Sequence, residues 1–270
     1  MIQQKINKRW YSSILTVFFL VWQSPLYAQT NEVVEEQKES LNSVKVMGKD
    51  GFMLNAQYFA GKTNAAGVLL LHGCDHSLAS YEKLLPLIAA KGLHALAVDF
   101  RGFGGSVSQE FNHLNIKRLS KDLATYQTEV SALQAFWRDD VLAAQQFIRE
   151  RIEKDQELAV ISIGCSAAQA IDLAQNSRIN AFVMIAPLLN YMQKESFKNL
   201  IDIPTYFLDS VYHSSYQTSQ ELFNWNGDSR SIFQTHKGSR DGHSILNSKK
   251  YTAEHIAIWL DDTLNSGHQN

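Results

Sequence analysis

The sequence predicts an α/β fold with a mostly parallel sheet, and three apolar runs that end in glycine carry the prediction. They are Ala66–Leu71 before His72-Gly73-Cys74, His94–Phe100 before Arg101-Gly102-Phe103-Gly104-Gly105-Ser106, and Ala159–Ile163 before Gly164-Cys165-Ser166-Ala167-Ala168. Each run is short and rich in β-branched or aliphatic residues, and the one carboxylate among them, Asp99, stands at the end of the second run, the pattern of a strand buried on both faces. Helix-forming sequence follows each one, which is the alternation that builds parallel sheets.

The other elements follow in order. Val44–Met47 and Met53–Phe59 alternate around Lys49-Asp50-Gly51 and predict an opening antiparallel hairpin. Tyr81–Lys91 predicts a helix with Leu84, Leu85, Leu87 and Ile88 on its apolar face. Residues 107–132 form the longest stretch between motifs. Leu119, Leu123, Tyr126 and Val130 recur there at helical spacing and predict one extra helix near the site. Trp137, Val141, Ala144 and Ile148 mark the next helix. Asp139 and Asp140 lie on it as adjacent carboxylates that point apart, which fits a structural role. Asn180–Ala186, Pro204–Asp209 and Ser231–Thr235 are the remaining strands, and Tyr251–Leu264 is a closing helix. The short gap between the strands at 180–186 and 204–209 holds one helix and leaves no room for a cap domain.

Composition bounds the rest. The chain has 270 residues, 45% hydrophobic and 19% charged, with a net charge of −2, so one sizeable core and one domain are expected and no nucleic-acid surface. Lys5, Lys8 and Arg9 precede a short apolar run, Ile14–Trp22, and Ser24-Pro25-Leu26-Tyr27-Ala28 offers a cleavage site. Residues 1–28 therefore read as a signal peptide, 29–42 as an acidic linker and 43–265 as the folded domain of a periplasmic or secreted protein. The apolar run is short for a membrane span, so no stable membrane anchor is expected. Cys74 and Cys165 both fall inside motifs at the sheet edge. An exported protein can join them, and two small apolar side chains filling space is the other reading.

Gly164-Cys165-Ser166-Ala167-Ala168 reads as strand, sharp turn and helix with Ser166 at the tip and small residues two before and two after it. In that register Ser166 is the nucleophile and the Ala167 amide faces an oxyanion. Placing Cys165 at the tip puts bulky Ile163 at a position that must be small, which argues against a thiol. The Gly102–Ser106 turn lacks the Lys-Ser/Thr ending of a phosphate loop and the spacing of a dinucleotide fingerprint. No cofactor and no metal is implied.

With Leu71-His72-Gly73, Asp99–Ser106, Gly164–Ala168 and Gly242-His243 in this order, residues 45–265 resemble an α/β-hydrolase. The resemblance implies an eight-stranded, mostly parallel sheet and a triad in the order serine, acid, histidine. It implies Ser166 as nucleophile, His243 as base and the Cys74 and Ala167 amides as oxyanion donors. An aspartate is implied several residues past the strand at 204–209, where Tyr212-His213-Ser214 stands instead. Asp209 at the strand end is the nearest carboxylate and the candidate acid; as the other reading, it caps the following turn. Asn190 occupies the place after the preceding strand where some relatives keep the acid.

The implied function is a serine hydrolase that cleaves small carboxylic esters, or related acyl bonds, through an acyl-enzyme. The alternative is a catalytically weak or inactive envelope binding protein on the same scaffold. The sequence is silent on the acyl group and on the oligomeric state.

Overall fold

The computed structural model describes residues 42–200 and 202–265. The signal-peptide reading of 1–28 and nearly all of the linker lie outside the described residues. Eight strands form one sheet: β1 (Ser43–Met47), β2 (Met53–Phe59), β3 (Gly67–Leu71), β4 (His94–Val98), β5 (Leu158–Ile163), β6 (Ala181–Ile185), β7 (Thr205–Ser210) and β8 (Ile232–His236). Their spatial order is β1-β2-β4-β3-β5-β6-β7-β8. The β1–β2 hairpin and the β2–β4 pair are antiparallel, and every other pair is parallel.

The order reverses beside β3, whose neighbours are β4 on one side and β5 on the other. In open parallel sheets the crevice outside the strand ends at such a reversal is where ligands sit. Leu71 pairs with Ser162 and Ile163 with Ile185, so β3, β5 and β6 end nearly level and deliver their following turns to one place.

The strand interiors are buried on both faces, as their uninterrupted apolar sequence requires. One face of the sheet, with Val68, Leu70, Ile161 and Val183, packs on α1 (Leu84–Ala90), α8 (Gly242–Ser248) and α9 (Lys250–Asn265). The other, with Leu69, Leu71, Val160 and Met184, packs on α4 (Trp137–Arg149), α5 (Ala167–Asn176), α6 (Tyr191–Lys198) and α7 (Tyr216–Trp225). This is the three-layer arrangement expected of alternating strands and helices.

Two departures from the sequence reading are local. The stretch 107–132 holds two helices, α2 (His113–Leu119) and α3 (Leu123–Gln134), rather than one. Ser120 is extended and ends the first, and the Asp122 carboxylate accepts from the Thr125 amide and starts the second. The second departure is α8, which precedes the closing helix. Asp241 caps it by accepting from the Ser244 amide at 2.7 Å, and it carries His243 in its first turn.

Asp139 is exposed, whereas Asp140 is fully buried and accepts from the Arg101 amide and guanidinium. Arg101 also pairs with Asp50, and its guanidinium lies over the rings of Phe52, Phe111 and Phe136. The pair of aspartates is thus structural, one in solvent and one under the turn after β4.

Candidate active site

Four turns supply most of the cleft at the sheet edge, and the turn after β6 adds Ala186 and Leu188. Gly73, Cys74, Asp75 and His76 follow β3, Gly164 and Cys165 follow β5, His213 follows β7, and Asp241, Gly242 and His243 follow β8. With Ile163, Ala186 and Leu188 they line about 120 Å³. A neighbouring cavity of about 380 Å³ shares Asp75, His76 and His243 and extends to Ser80, Gly102–Gly104 and His113.

The turn after β5 departs from the register expected in the sequence. Gly164 has φ +58°, and Ser166 is ordinary right-handed backbone with φ −70°. The strained tip of an elbow takes a positive φ, which an L side chain adopts at a cost. The tip is therefore Gly164, and the flanking small residues are Ser162 and Ser166. Ser166 is fully buried. Its Oγ lies 2.8 Å from the Leu71 carbonyl and 3.1 Å from the Ile163 carbonyl, and it accepts from the Ile163 amide at 3.1 Å. Ser166 bridges β3 and β5 and is not presented to the cleft.

The Ala167 amide closes the first helical turn onto the Gly164 and Cys165 carbonyls, so it is not directed at an oxyanion. The amide next to the true tip belongs to Cys165. A sequence signal for this register existed. Gly164 is the one residue at the end of β5 that takes a positive φ without penalty. A glycine offers no nucleophile, and that is what hides it from a search for one.

Cys74 and Cys165 form a disulfide across the two turns, with Cα atoms 5.8 Å apart. The turn after β3 and the tip of the β5 turn are thereby one covalent unit. Gln134 on α3 reaches Cys74 Sγ at 3.3 Å.

Asp209 and His243 do not meet. Asp209 is fully buried and accepts from the Ser210 amide at 2.7 Å, the Ser215 hydroxyl at 2.7 Å and the Ser219 hydroxyl at 2.6 Å. The imidazole beside it is His213, at 3.9 Å. The carboxylate is held where β7 ends and α7 begins, and its partners are Ser210, Ser215, Ser219 and His213 rather than His243, so the triad role read for it is not formed. Asn190 caps α6 and is not directed at a histidine. His243 Nδ1 lies 3.0 Å from the Ser80 hydroxyl, and its ring stacks on His76 with centroids 4.4 Å apart. Burial, followed by the neighbouring His76, lowers the His243 pKa below the usual histidine value against the pull of Asp241.

His72, the residue before the Cys74 turn, is structural. Its Nδ1 meets the Gly73 carbonyl at 2.7 Å, and its Nε2 accepts from the Phe100 amide at 3.0 Å. Burial takes its pKa down to about 4. Among the described residues no group of three or more His, Cys, Asp or Glu side chains is placed to hold a metal ion.

Residues 62–240 match the family described as serine aminopeptidase, S33, a span of about two thirds of the chain. The chain belongs to this hydrolase family. It is 38% identical over 79 residues to epoxide hydrolase A of Mycobacterium tuberculosis, and spans about a quarter of that relative's length (24%) and 29% of its own. The fold is similar to that of an esterase from Pyrococcus furiosus, with TM-score 0.62, 14% identity and coverage of 83% of this chain and 92% of that one. It is also similar to a predicted CIB-like hydrolase from Thermoplasma acidophilum, with TM-score 0.58, 18% identity and coverage of 82% and 97%. The fold is that of the α/β-hydrolases.

Proposed function

We propose that this protein is an ester-cleaving α/β-hydrolase for small acyl compounds that adds water directly, with a cleft imidazole as base and without an acyl-enzyme. The observation that carries this reading is Gly164 at the elbow tip. A Cβ built there meets only Leu188, at 3.8 Å, so the place of a nucleophilic side chain is open space in the cleft wall. A water there lies among the cleft's imidazoles, and His243 and His213 are both placed to serve as base. The Cys165 and Cys74 amides flank the tip and are the oxyanion donors of this reading. Ester cleavage itself is supported by the family match and the esterase fold.

A second reading, binding of an acyl compound without turnover, is favoured by one observation: the Nδ1 partner of His243 is the neutral Ser80 hydroxyl and not a carboxylate. Loss of the acid partner lowers kcat by about 10⁴ in triad enzymes. Hydrolysis of p-nitrophenyl butyrate with a fluorophosphonate challenge separates these readings. Water addition gives slow, burst-free turnover and an unlabelled chain. Binding alone gives saturable butyrate binding and no turnover. A label on Ser166 would overturn both.

Export of the mature chain from Gln29 belongs to the same proposal. It is supported by the charged start, the apolar run and Ala28, and by the disulfide, which persists in oxidising compartments. N-terminal sequencing of the secreted or periplasmic fraction tests it, and a chain that retains Trp10–Trp22 in a membrane fraction would contradict it.

A further inference from the structure

His213 stands where the family's acid is expected, and the hydrolytic reading leaves open which of His213 and His243 is the base and gives Asp209 no role. The two are linked. His213 Nδ1 lies 2.6 Å from the Ser215 hydroxyl, and that hydroxyl lies 2.7 Å from Asp209 Oδ2. Asp209 also receives the Ser219 hydroxyl and the Ser210 amide, so three donors converge on it and it acts as an acceptor alone.

The single Ser215 proton is therefore directed at Asp209, and its oxygen is left to accept from His213 Nδ1–H. The Ser215 amide also points its N–H at Nδ1, at 3.3 Å; this longer contact asks for the opposite tautomer and is given up when Nδ1 carries the proton. The neutral ring is then the Nδ1–H tautomer, with its lone pair on Nε2. No hydrogen-bond partner of Nε2 is found among the described residues. The ring lines the cleft with Gly164 and His243, while Asp209 behind it is completely buried.

We propose that His213 is the imidazole that takes the proton of the attacking water, oriented by Asp209 through the Ser215 hydroxyl. This rests on the water-addition reading and names the base within it. As the water oxygen bonds to the acyl carbon, its proton moves to His213 Nε2 and the carbonyl electron pair moves to the oxyanion. When the intermediate collapses, the bond to the leaving oxygen breaks, and that oxygen receives the proton from His213. One ester and one water become one carboxylic acid and one alcohol. Asp75, His76, Asp241 and His243 are the other ionisable groups on the cleft. Of the two candidate bases, His213 is the one linked through a hydroxyl to a fully buried carboxylate, the arrangement that fixes a base's tautomer and supports its charge; Asp241 acts on His243 through space and caps α8.

The test uses the full chain with p-nitrophenyl butyrate and histidine NMR. His213→Gln is expected to lower kcat about 100-fold or more with little change in KM, the usual contribution of a general base. Free imidazole should restore part of the activity to His213→Ala. Asp209→Asn changes a buried group and is open to misfolding, so Ser215→Ala is the second variant. It should lower kcat and release the Nδ1–H tautomer, which a packing role would not do. Wild-type kcat in His213→Gln, or an Nε2–H tautomer in the wild type, would overturn the inference. Loss of activity in His243→Gln but not in His213→Gln would keep water addition and reject His213 as its base. If the wild type shows no turnover, the hydrolytic reading falls and with it the base role. Butyrate-sensitive His213 signals would then assign the residue to ligand binding only.

Discussion

The molecule holds two turns with a positive-φ glycine at the same sheet edge, one after β4 and one after β5, and they use glycine for opposite reasons. In the turn after β4, Gly104 has φ +50°, and a Cβ there would stand 2.2 Å from the Asp99 carboxylate. That carboxylate fills the turn. It accepts from the Leu78 amide at 2.7 Å, the Gly105 amide at 2.7 Å and the Asn55 side chain at 3.0 Å. A phosphate has no place where an internal carboxylate already takes the amides. In the turn after β5, Gly164 has nearly the same φ, but the space over it is open. Glycine at 104 is a steric necessity. Glycine at 164 is the absence of a side chain where the fold provides room for one. A shared motif and a shared dihedral therefore say little until the surroundings are known.

The largest expected effect comes from removing what pins the second turn. Reduction of Cys74–Cys165, or the Cys74→Ala/Cys165→Ala double variant, frees a closed loop with a sequence separation of 91 residues. Chain-entropy reasoning puts the loss on the order of 4–5 kcal/mol. Denaturant midpoints with and without reductant check this, and an unchanged midpoint would mean that the noncovalent contacts of the two turns suffice.

Gly104→Ala should lower stability by about 3 kcal/mol, because Asp99 must move and leave buried amides unpaired. That corresponds to a melting temperature lower by roughly 10 °C. A variant that melts with the wild type would make the two turns equivalent and remove the contrast.

Acid should act on the base of the β3 turn through His72. Its folded pKa of about 4 lies below the ordinary histidine value of about 6.5, so the unfolded chain binds the extra proton first. Stability from this group is complete above pH 6.5, falls as pH drops toward 4 and is level below that, by about 3 kcal/mol in all. Melting scans of wild type and His72→Gln between these limits should differ in slope. An equal slope would assign the dependence to other groups, Asp140 among them.

The smallest effect on stability is expected at Gly164. Gly164→Ser should cost about 1 kcal/mol for a side chain at positive φ and leave the fold intact. Yet it should create a fluorophosphonate-reactive serine beside the cleft imidazoles. Ser166→Ala, in contrast, should destabilise by about 1–2 kcal/mol through lost buried hydrogen bonds and leave labelling unchanged. Failure of Gly164→Ser to label would mean that its hydroxyl lacks a base within reach.

Most of the architecture was legible before any coordinates. Apolar runs of five to seven residues followed by glycine-containing turns located β3, β4 and β5 within one or two residues, because a strand buried on both faces has no polar alternative. The extra helix was misread as one because Leu119 and Leu123 sit a helical turn apart across a break made by Ser120. At the site, His243 and Cys74 were placed in the cleft by motif order. Ser166, Ala167 and Asp209 were not, for one kind of reason: each depends on a choice of partner or register that spacing alone leaves open.

The sequence by itself determined the sheet, its parallel character and the four turns that converge on one edge, since burial and periodicity are properties of local composition. That Gly164 could take the positive dihedral was legible, but the turning of Ser166 inward onto the Leu71 carbonyl and the bridge from Cys74 to Cys165 were tertiary decisions. So was the pairing of Asp209 with His213 instead of His243, because a buried carboxylate goes to the donors that reach it, and Ser215 and Ser219 on the following helix reach it first.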